Sequence, residues 1–332
     1  QKMAKRKRKK KQFTGQTLTD IIKYCAIAVL AAAFIIGVLN EMGIIRISSW
    51  MGSGDTSQSE GSSIPEEFKN SEVRVHYIDV GQGDSIFIEA GPKTILIDAG
   101  EKEYGQKVFD YISELGYDKL DIVIATHPHS DHIGGLPEVL GNFEIGTVIM
   151  PKIADDMVPT TKVYEKLLAT ISDKNIKAAA ASDSLSFVWS DSAGERIMFR
   201  ILGPVTDKYK DLNNYSVVSK LTYNDVSFLF TGDMEDNAEE DLIYSGADLK
   251  ATVLKVGHHG SSTSSSPAFL KKVSPLAAVI QCGKDNSYGH PHEETLEKLS
   301  KYTDKIYRTD ENGTILIITD GKTVVAVKEK NQ

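Results

Sequence analysis

Residues 121–135 read DIVIATHPHSDHIGG and join an apolar run to a short segment rich in metal-binding side chains. The run has the length and composition of a buried strand. Four of the next six positions are potential ligands: His127, His129, Asp131 and His132. Imidazole nitrogens and carboxylate oxygens are ligands that zinc and manganese accept in proteins. The stretch therefore predicts a metal site at the carboxyl end of a strand, rather than a polar loop with scattered histidines.

Two later apolar runs end in the same kinds of side chain. VSFLFTGD ends at Asp233, and ATVLKVGHH ends at the pair His258 and His259. Taken alone, Gly232-Asp233 would be read as an ordinary turn. Because it follows the histidine-rich loop in the sequence, we favour a metal site that the two segments share. We expect His127 and His129 to hold one ion, Asp131 and His132 to hold a second, and Asp233 to bridge them.

The surrounding pattern predicts two sheets packed face to face with helices outside, an α/β (α+β) architecture. VRVHYIDV, SIFIEAG and KTILIDAG are typical of antiparallel strands, and LDIVIAT, TVIM, RIMFRIL, SVVSKLTYN and AAVIQCG of further strands. Helices are expected at 161–172, at 234–245 and within PHEETLEKLSKY. The end of the chain, TILIITDGKTVVAVK, predicts a hairpin with a two-residue turn at Asp320 and Gly321.

The chain begins with a basic and then an apolar segment. We expect a basic cytoplasmic tail at 1–20, one transmembrane helix at 21–45, a flexible linker at 46–71 and the folded domain at 72–330. The basic block orients the N-terminus to the cytoplasm and the domain to the outside of the cell membrane. The alternative is a cleaved signal peptide. Of the two cysteines, Cys25 lies within the apolar run and Cys282 lies near the other end of the chain. This placement predicts neither an intramolecular disulfide nor a disulfide-linked partner.

Charge is distributed unevenly along the 332 residues. Eight lysines and arginines lie in the first eleven residues, so the net charge of −8 becomes −16 for the remainder. An acidic body repels long polyanions, which counts against nucleic-acid binding without excluding it. The signatures of serine hydrolases, P-loop nucleotide-binding proteins and dinucleotide-binding folds are absent from the sequence.

The motifs between residues 73 and 327 resemble the metallo-β-lactamase superfamily, and within it the hydrolase domain of ComEC-type DNA-uptake proteins. The resemblance rests on HYIDVGQGDSIFIEAG, ILIDAG, ATHPHSDHIGGL, NNYSVVSKL, FLFTGDME, LKVGHHGSSTS and NSYGHPH, in the family's order. It implies a four-layer αββα sandwich, hydrolytic activity and one or two divalent ions, zinc first and manganese as the alternative. It makes His127, His129, Asp131, His132 and Asp233 ligands, with His258 or His259 as the last.

One departure from the wider superfamily is that no histidine occurs from 133 to 257. The resemblance therefore implies that Asn213, Asn214 or water fills the place of an imidazole. Asp98 is interpreted as orienting the histidine loop, or else as an ordinary turn residue. Asp84 is interpreted as a turn residue that still lies near the site. The loop NSYGHPH adds Asn286, Tyr288 and His290 as candidate substrate contacts, with His292 less favoured.

Together these features predict a membrane-anchored, extracellular-facing phosphodiesterase or nuclease that hydrolyses its substrate with metal-activated water. DNA or a phosphorylated polymer is the expected substrate, and no protein partner is predicted. Asp131 or Asp233 is expected to accept a proton, and His290 to contact the substrate or protonate the leaving group. Two alternatives stay open: a hydrolase of other esters, lactones or β-lactams, and a binding module that keeps the fold without turnover.

Overall fold

The computed structural model describes residues 63–330. The predicted tail at 1–20, the predicted anchor at 21–45 and the predicted linker as far as residue 62 lie outside these residues. Within the described part, no helix combines the length and apolarity needed to cross a bilayer.

Fifteen strands are present between residues 63 and 330. They are β1 Val73–Tyr77, β2 Ile86–Ala90, β3 Lys93–Ile97, β4 Lys119–Ile124, β5 Glu144–Met150, β6 Ala178–Ala180, β7 Ser186–Ser190, β8 Arg196–Ile201, β9 Ser219–Tyr223, β10 Val226–Phe230, β11 Val253–Lys255, β12 Ala277–Ile280, β13 Ile306–Arg308, β14 Ile315–Thr319 and β15 Val324–Lys328. The α-helices are α1 Gly105–Glu114, α2 Ser130–Ile133, α3 Leu136–Asn142, α4 Lys162–Asp173, α5 Asp236–Tyr244, α6 Pro267–Val273, α7 Glu293–Ser300 and α8 Thr309–Asn312.

The strands form two sheets. The eight-stranded sheet has the order β15-β14-β1-β2-β3-β4-β5-β6, and the seven-stranded sheet has the order β13-β12-β11-β10-β9-β8-β7. One apolar core lies between them, with alternate residues such as Val73, Val75 and Tyr77 of β1 meeting Phe228 and Phe230 of β10. This period-two alternation sends the intervening side chains to the outer faces.

Helices cover both outer faces, which gives the four-layer αββα sandwich. Val108 and Ile112 of α1 and Leu167 of α4 pack on the eight-stranded sheet. On the opposite side, Leu242 of α5 and Leu299 of α7 pack on the seven-stranded sheet. The apolar stripe of each helix is thereby buried while its polar face meets solvent. The predicted two-sheet fold is confirmed.

Some local predictions differ from the structure. The final hairpin has a four-residue loop, because Thr319 pairs with Val324. The predicted two-residue turn is wrong, since the Asp320 carboxylate accepts hydrogen bonds from the Lys322 and Thr323 amides and closes a wider turn. Strands β6, β7 and β13 were not predicted from the sequence. Two of these have three residues, and β6 reads AAA, so their strand conformation comes from pairing rather than from local preference.

The parallel strands set the position of the site. β10, β11, β12 and β13 run parallel, and so do β3, β4, β5 and β6. Segments that follow β4, β10, β11 and β12 carry the candidate ligands and the loop from 283 to 292. Parallel strands end at one edge of their sheet, so these segments meet at one rim of the sandwich.

Candidate metal centre

Four side chains from three segments converge at the rim of the sandwich. Asp131, His132, Asp233 and His259 each offer one ligand atom within 4.8 Å of the others. Asp233 lies between the two imidazoles, with Oδ1 3.2 Å from His132 Nε2 and Oδ2 3.4 Å from His259 Nε2. Asp131 Oδ2 lies 3.2 Å from His259 Nε2. The structure thus brings together residues that are up to 128 positions apart.

Two hydrogen-bond acceptors fix the orientation of the imidazoles in this cluster. Nδ1 of His132 lies 2.8 Å from Oδ2 of Asp98, and Nδ1 of His259 lies 2.9 Å from the carbonyl of Gln281. A carboxylate and a carbonyl only accept, so each Nδ1 carries the proton. When both rings are neutral, as metal coordination requires, their Nε2 lone pairs face the cluster.

His127 and His129 form a neighbouring pair. Their nitrogens Nε2 and Nδ1 are 3.0 Å apart, and His127 Nε2 is 3.8 Å from Oδ2 of Asp233. Ser216 holds this side of the site, because its Oγ accepts from the Asp233 amide and lies 3.3 Å from His127 Nδ1. Asp233 therefore lies within 3.8 Å of His127 on one side and of His132 and His259 on the other.

The adjacent histidines after β11 occupy different positions. His259 is buried within the cluster, whereas His258 lies at the rim, 3.8 Å from Oδ2 of Asp233. His258 contacts the Thr263 hydroxyl at 3.1 Å and Glu235 at 3.3 Å. Both have a left-handed backbone, with φ of 49° for His258 and 53° for His259. Such strain for non-glycine residues is typical of functional sites.

The two predicted asparagines also differ. Asn214 is engaged with Glu235, since its Oδ1 accepts from the Glu235 amide and its Nδ2 donates to the carboxylate. Asn213 lines the pocket, and its Oδ1 is buried without a hydrogen-bond partner among the described residues. Asn213 is therefore the asparagine whose oxygen is available for a ligand.

The electrostatics of the cluster favour a cation. Burial opposes protonation of His132, yet Asp233 and Asp131 outweigh it and raise its pKa well above the ordinary value. The pKa of His259 is raised in the same way, with Asp233 the strongest neighbour. Oδ1 of Asp233 is buried without a hydrogen-bond donor, like that of Asn213. Unsatisfied oxygens, oriented nitrogens and negative potential together fit one or two divalent ions.

A pocket of about 330 Å³ opens above the cluster. Besides the candidate ligands, it is lined by Gln82, Ser130, Tyr288 and His290. Asn286 lies outside this lining and organises the loop, accepting hydrogen bonds from the Tyr288 and His290 amides. Burial and the nearby His259 and His258 lower the pKa of His290 to about 4, so this imidazole is neutral near pH 7. His292 instead contacts the amide and hydroxyl of Ser262.

A larger cleft of about 790 Å³ lies elsewhere, with Lys152, Arg200 and Asp248 in its lining. No histidine lines it, and its cations are interspersed with acids such as Asp183 and Asp207. The smaller pocket, which contains the convergent ligands, is therefore the candidate site.

Several supporting residues were not singled out from the sequence. Gln281, Ser216 and Lys255 lie beneath the ligands, and Asp84, in the predicted turn between β1 and β2, is a buried charge. Burial raises the pKa of Asp84, but Lys255 and His259 outweigh it and hold the pKa below the ordinary value. A lysine within the apolar run VLKV is the signal that could have revealed a buried partner, because strand interiors rarely bury an unpaired charge.

Comparisons with known proteins agree with this arrangement. Residues 78–284 match the family model described as the metallo-beta-lactamase superfamily. ComE operon protein 3 of Bacillus subtilis (strain 168) is 33% identical over 266 residues, which cover 74% of this chain and 33% of that protein. Competence protein ComA of Neisseria gonorrhoeae is 29% identical over 253 residues, covering 76% and 33%. Recombination protein 2 of Haemophilus influenzae is 29% identical over 249 residues, covering 74% and 28%.

The chain spans about a third of the length of these relatives. The match confirms the resemblance inferred from the motifs, and the fold with its ligand cluster supports a metal-dependent hydrolase. By the extent of the family match and by its similarity to the competence proteins, this chain belongs to the metallo-β-lactamase superfamily.

Proposed function

We propose that this protein is a metal-dependent phosphodiesterase that acts on nucleic acid or another phosphorylated polymer. The observation that carries the proposal is the convergence of Asp131, His132, Asp233 and His259 beneath an open polar pocket. Two carboxylates and two oriented imidazoles are a ligand set for a hydrolytic metal centre.

We assign the ligands from their positions in the cluster. Asp131, His132 and His259 would hold one ion, and His127, His129 and the Asn213 oxygen would hold a second. Asp233 would bridge the two, because its oxygens face both groups. His258 is assigned to the rim, where it contacts Glu235 and Thr263. Zinc suits the imidazoles, and the amide oxygen of Asn213 favours manganese at the second position.

A bound divalent ion supplies Lewis acidity, which polarises the phosphoryl group and lowers the pKa of a coordinated water. Asp131 is the better placed general base, because a quarter of its side chain is exposed, whereas that of Asp233 is almost fully buried. Gln82, Tyr288 and the neutral His290 present amide, hydroxyl and imidazole groups at the pocket wall. Such groups hydrogen-bond to the non-bridging oxygens of a phosphodiester and orient it.

The similarity to competence and recombination proteins supports the choice of phosphodiesters as the substrates. The names of these relatives refer to competence and recombination, and the motifs resemble those of DNA-uptake proteins. The acidic composition of the chain opposes binding of long polyanions at a distance. Contact through the metal centre itself is therefore expected to dominate, and short or single-stranded substrates are favoured over long duplexes.

The test uses the full chain, stripped with a chelator and reloaded with zinc or manganese. Single-stranded DNA, a chromogenic phosphodiester, a lactone and a chromogenic cephalosporin are the substrates. Asp233→Ala removes the bridging carboxylate and should reduce diester turnover at least about 100-fold. Asp207→Ala, at an exposed acid paired with Lys152, is the matched control and should retain full turnover.

Three outcomes separate the alternatives. Diester hydrolysis that depends on Asp233 but not on Asp207 supports the proposal. Turnover confined to the lactone or the cephalosporin replaces it with a non-phosphate hydrolase. Tight metal binding without turnover on any substrate replaces it with a binding module.

We also propose that residues 21–45 anchor the protein in the cell membrane with the domain outside. The apolar composition of this segment and the basic residues before it support that orientation. Protease added to intact cells that express the full chain should then degrade the domain. Protection of the domain in intact cells, with degradation after lysis, contradicts this topology.

A further inference from the structure

Lys255 is a fully buried cation in the last position of β11, three residues before the histidine pair. Its Nζ lies 2.7 Å from Oδ2 of Asp84 and donates a hydrogen bond to the Val256 carbonyl at 2.9 Å. Asp84 is equally buried. Lysine and aspartate are almost never fully buried unless they are paired, so the two residues depend on one another.

Asp84 contacts two residues of the metal-binding cluster. Its Oδ1 lies 3.3 Å from Nδ1 of His259, the nitrogen that donates to the Gln281 carbonyl. Its backbone amide donates to the Asp131 carbonyl at 3.1 Å. Side chain and backbone of one residue thus support both partners of the Asp131–His259 contact.

The Lys255–Asp84 pair also joins the two sheets. Asp84 lies in the turn between β1 and β2 of the eight-stranded sheet, and Lys255 belongs to β11 of the seven-stranded sheet. Gln281 reinforces the same junction, because its side-chain amide donates to the carbonyls of Ile78 and Ser85. Asp131 follows β4 of the eight-stranded sheet and His259 follows β11 of the seven-stranded sheet, so the junction links the two sheets that supply them.

We propose that Lys255 is a positioning residue for the metal centre. Its ammonium holds the Asp84 carboxylate in one orientation, and Asp84 in turn fixes His259 and Asp131 at ligand distance. A buried ion pair adds little net stability, because desolvation offsets its Coulomb attraction. The effect of the pair is therefore on the geometry of the ligands. The inference rests on the proposed metal centre but not on phosphodiester hydrolysis.

The experiment measures metal binding by the full chain. Lys255→Met removes the ammonium at similar length, and Asp84→Asn/Lys255→Met removes both charges, so that no unpaired carboxylate is left buried. Lys220→Met is the matched control, because Lys220 is another buried strand lysine, held by Asp248 at 2.8 Å. Zinc and manganese affinities are determined by competition with a chelator. The metal geometry is monitored by the visible absorption spectra of the cobalt-substituted proteins. Thermal unfolding is recorded without metal.

Both Lys255 variants should bind zinc and manganese about 10- to 100-fold more weakly and show an altered cobalt spectrum. Lys220→Met should match the unmodified protein in both measurements. If Lys255→Met fails to fold, the double variant alone decides the question.

Wild-type affinity and an unchanged cobalt spectrum in the folded Lys255 variants, with only the metal-free melting temperature altered, would overturn the inference. Absence of metal binding by the unmodified chain instead overturns the proposed metal centre itself.

Discussion

Replacing Asp98 by asparagine is expected to weaken zinc or manganese binding about 10- to 100-fold while the chain stays folded. Asp98 is fully buried and accepts from the Thr126 amide at 2.9 Å and the Thr126 hydroxyl at 2.5 Å. Its Oδ2 also lies 2.8 Å from Nδ1 of His132. The carboxylate therefore supports both the backbone of the histidine loop and one imidazole.

Asparagine keeps the hydrogen bond from the Thr126 amide, but it presents a hydrogen-bond donor to His132 in place of an acceptor. Its Oδ1 can still accept from the Thr126 amide, and asparagine tolerates the left-handed φ of 57° at this position. The amide nitrogen then faces His132 Nδ1 and donates to it. The imidazole proton moves to Nε2, which removes the lone pair directed at the cluster. A 10- to 100-fold loss corresponds to about 1.4–2.7 kcal/mol of binding free energy.

Asp98→Ala has a different expected result. It leaves the Thr126 amide buried without an acceptor, which costs about 1–3 kcal/mol. Alanine at a positive φ adds about 1–2 kcal/mol. The free energy of unfolding without metal should thus fall by about 2–5 kcal/mol. Denaturant unfolding of the metal-free variants and chelator competition measure the two quantities separately. Wild-type metal affinity in Asp98→Asn, or equal destabilisation by both substitutions, would refute the reasoning.

Four other outcomes are expected. Zinc at 100 times its dissociation constant should stabilise the chain by about 2.7 kcal/mol in thermal unfolding, and Asp233→Ala should abolish this gain. Burial raises the pKa of Glu89, but its contact with His76 outweighs this and holds the pKa below 4.5. Glu89→Gln should therefore lose about 1.5–3 kcal/mol at pH 7 in denaturant unfolding, and the difference should narrow as the pH falls below 4.5. Gly83→Ala should weaken metal binding in chelator titrations and lower the melting temperature, because a Cβ at this position, where φ is +142°, would clash with the Asp131 carbonyl. Unchanged metal affinity and melting temperature would contradict this prediction. Burial, followed by Asp310, raises the pKa of Cys282 to about 12, so peptide mapping should find it unalkylated at pH 8 until the protein is unfolded.

The lysine in β11 illustrates why some of the site escaped prediction. The sequence shows a charge in an apolar run, but nothing local identifies Asp84, 171 positions earlier, as its partner. Similarly, nothing local separates Asn213 from Asn214. In the fold, the side-chain oxygen of Asn214 accepts from the Glu235 amide, whereas that of Asn213 has no hydrogen-bond partner among the described residues. Strand β6 depends on parallel pairing with β5, since its alanines have no preference for a strand.

The sequence by itself determined the two-sheet architecture and the chemistry of the candidate ligands. Both are encoded locally, in the two-residue period of the strands and in side chains placed directly after apolar runs. Tertiary structure decided which of these side chains meet. His258 and His259 are neighbours in the chain and share a left-handed backbone, but only His259 enters the cluster with His132. Such distances depend on how two sheets pack over a common core, which no short segment of sequence specifies.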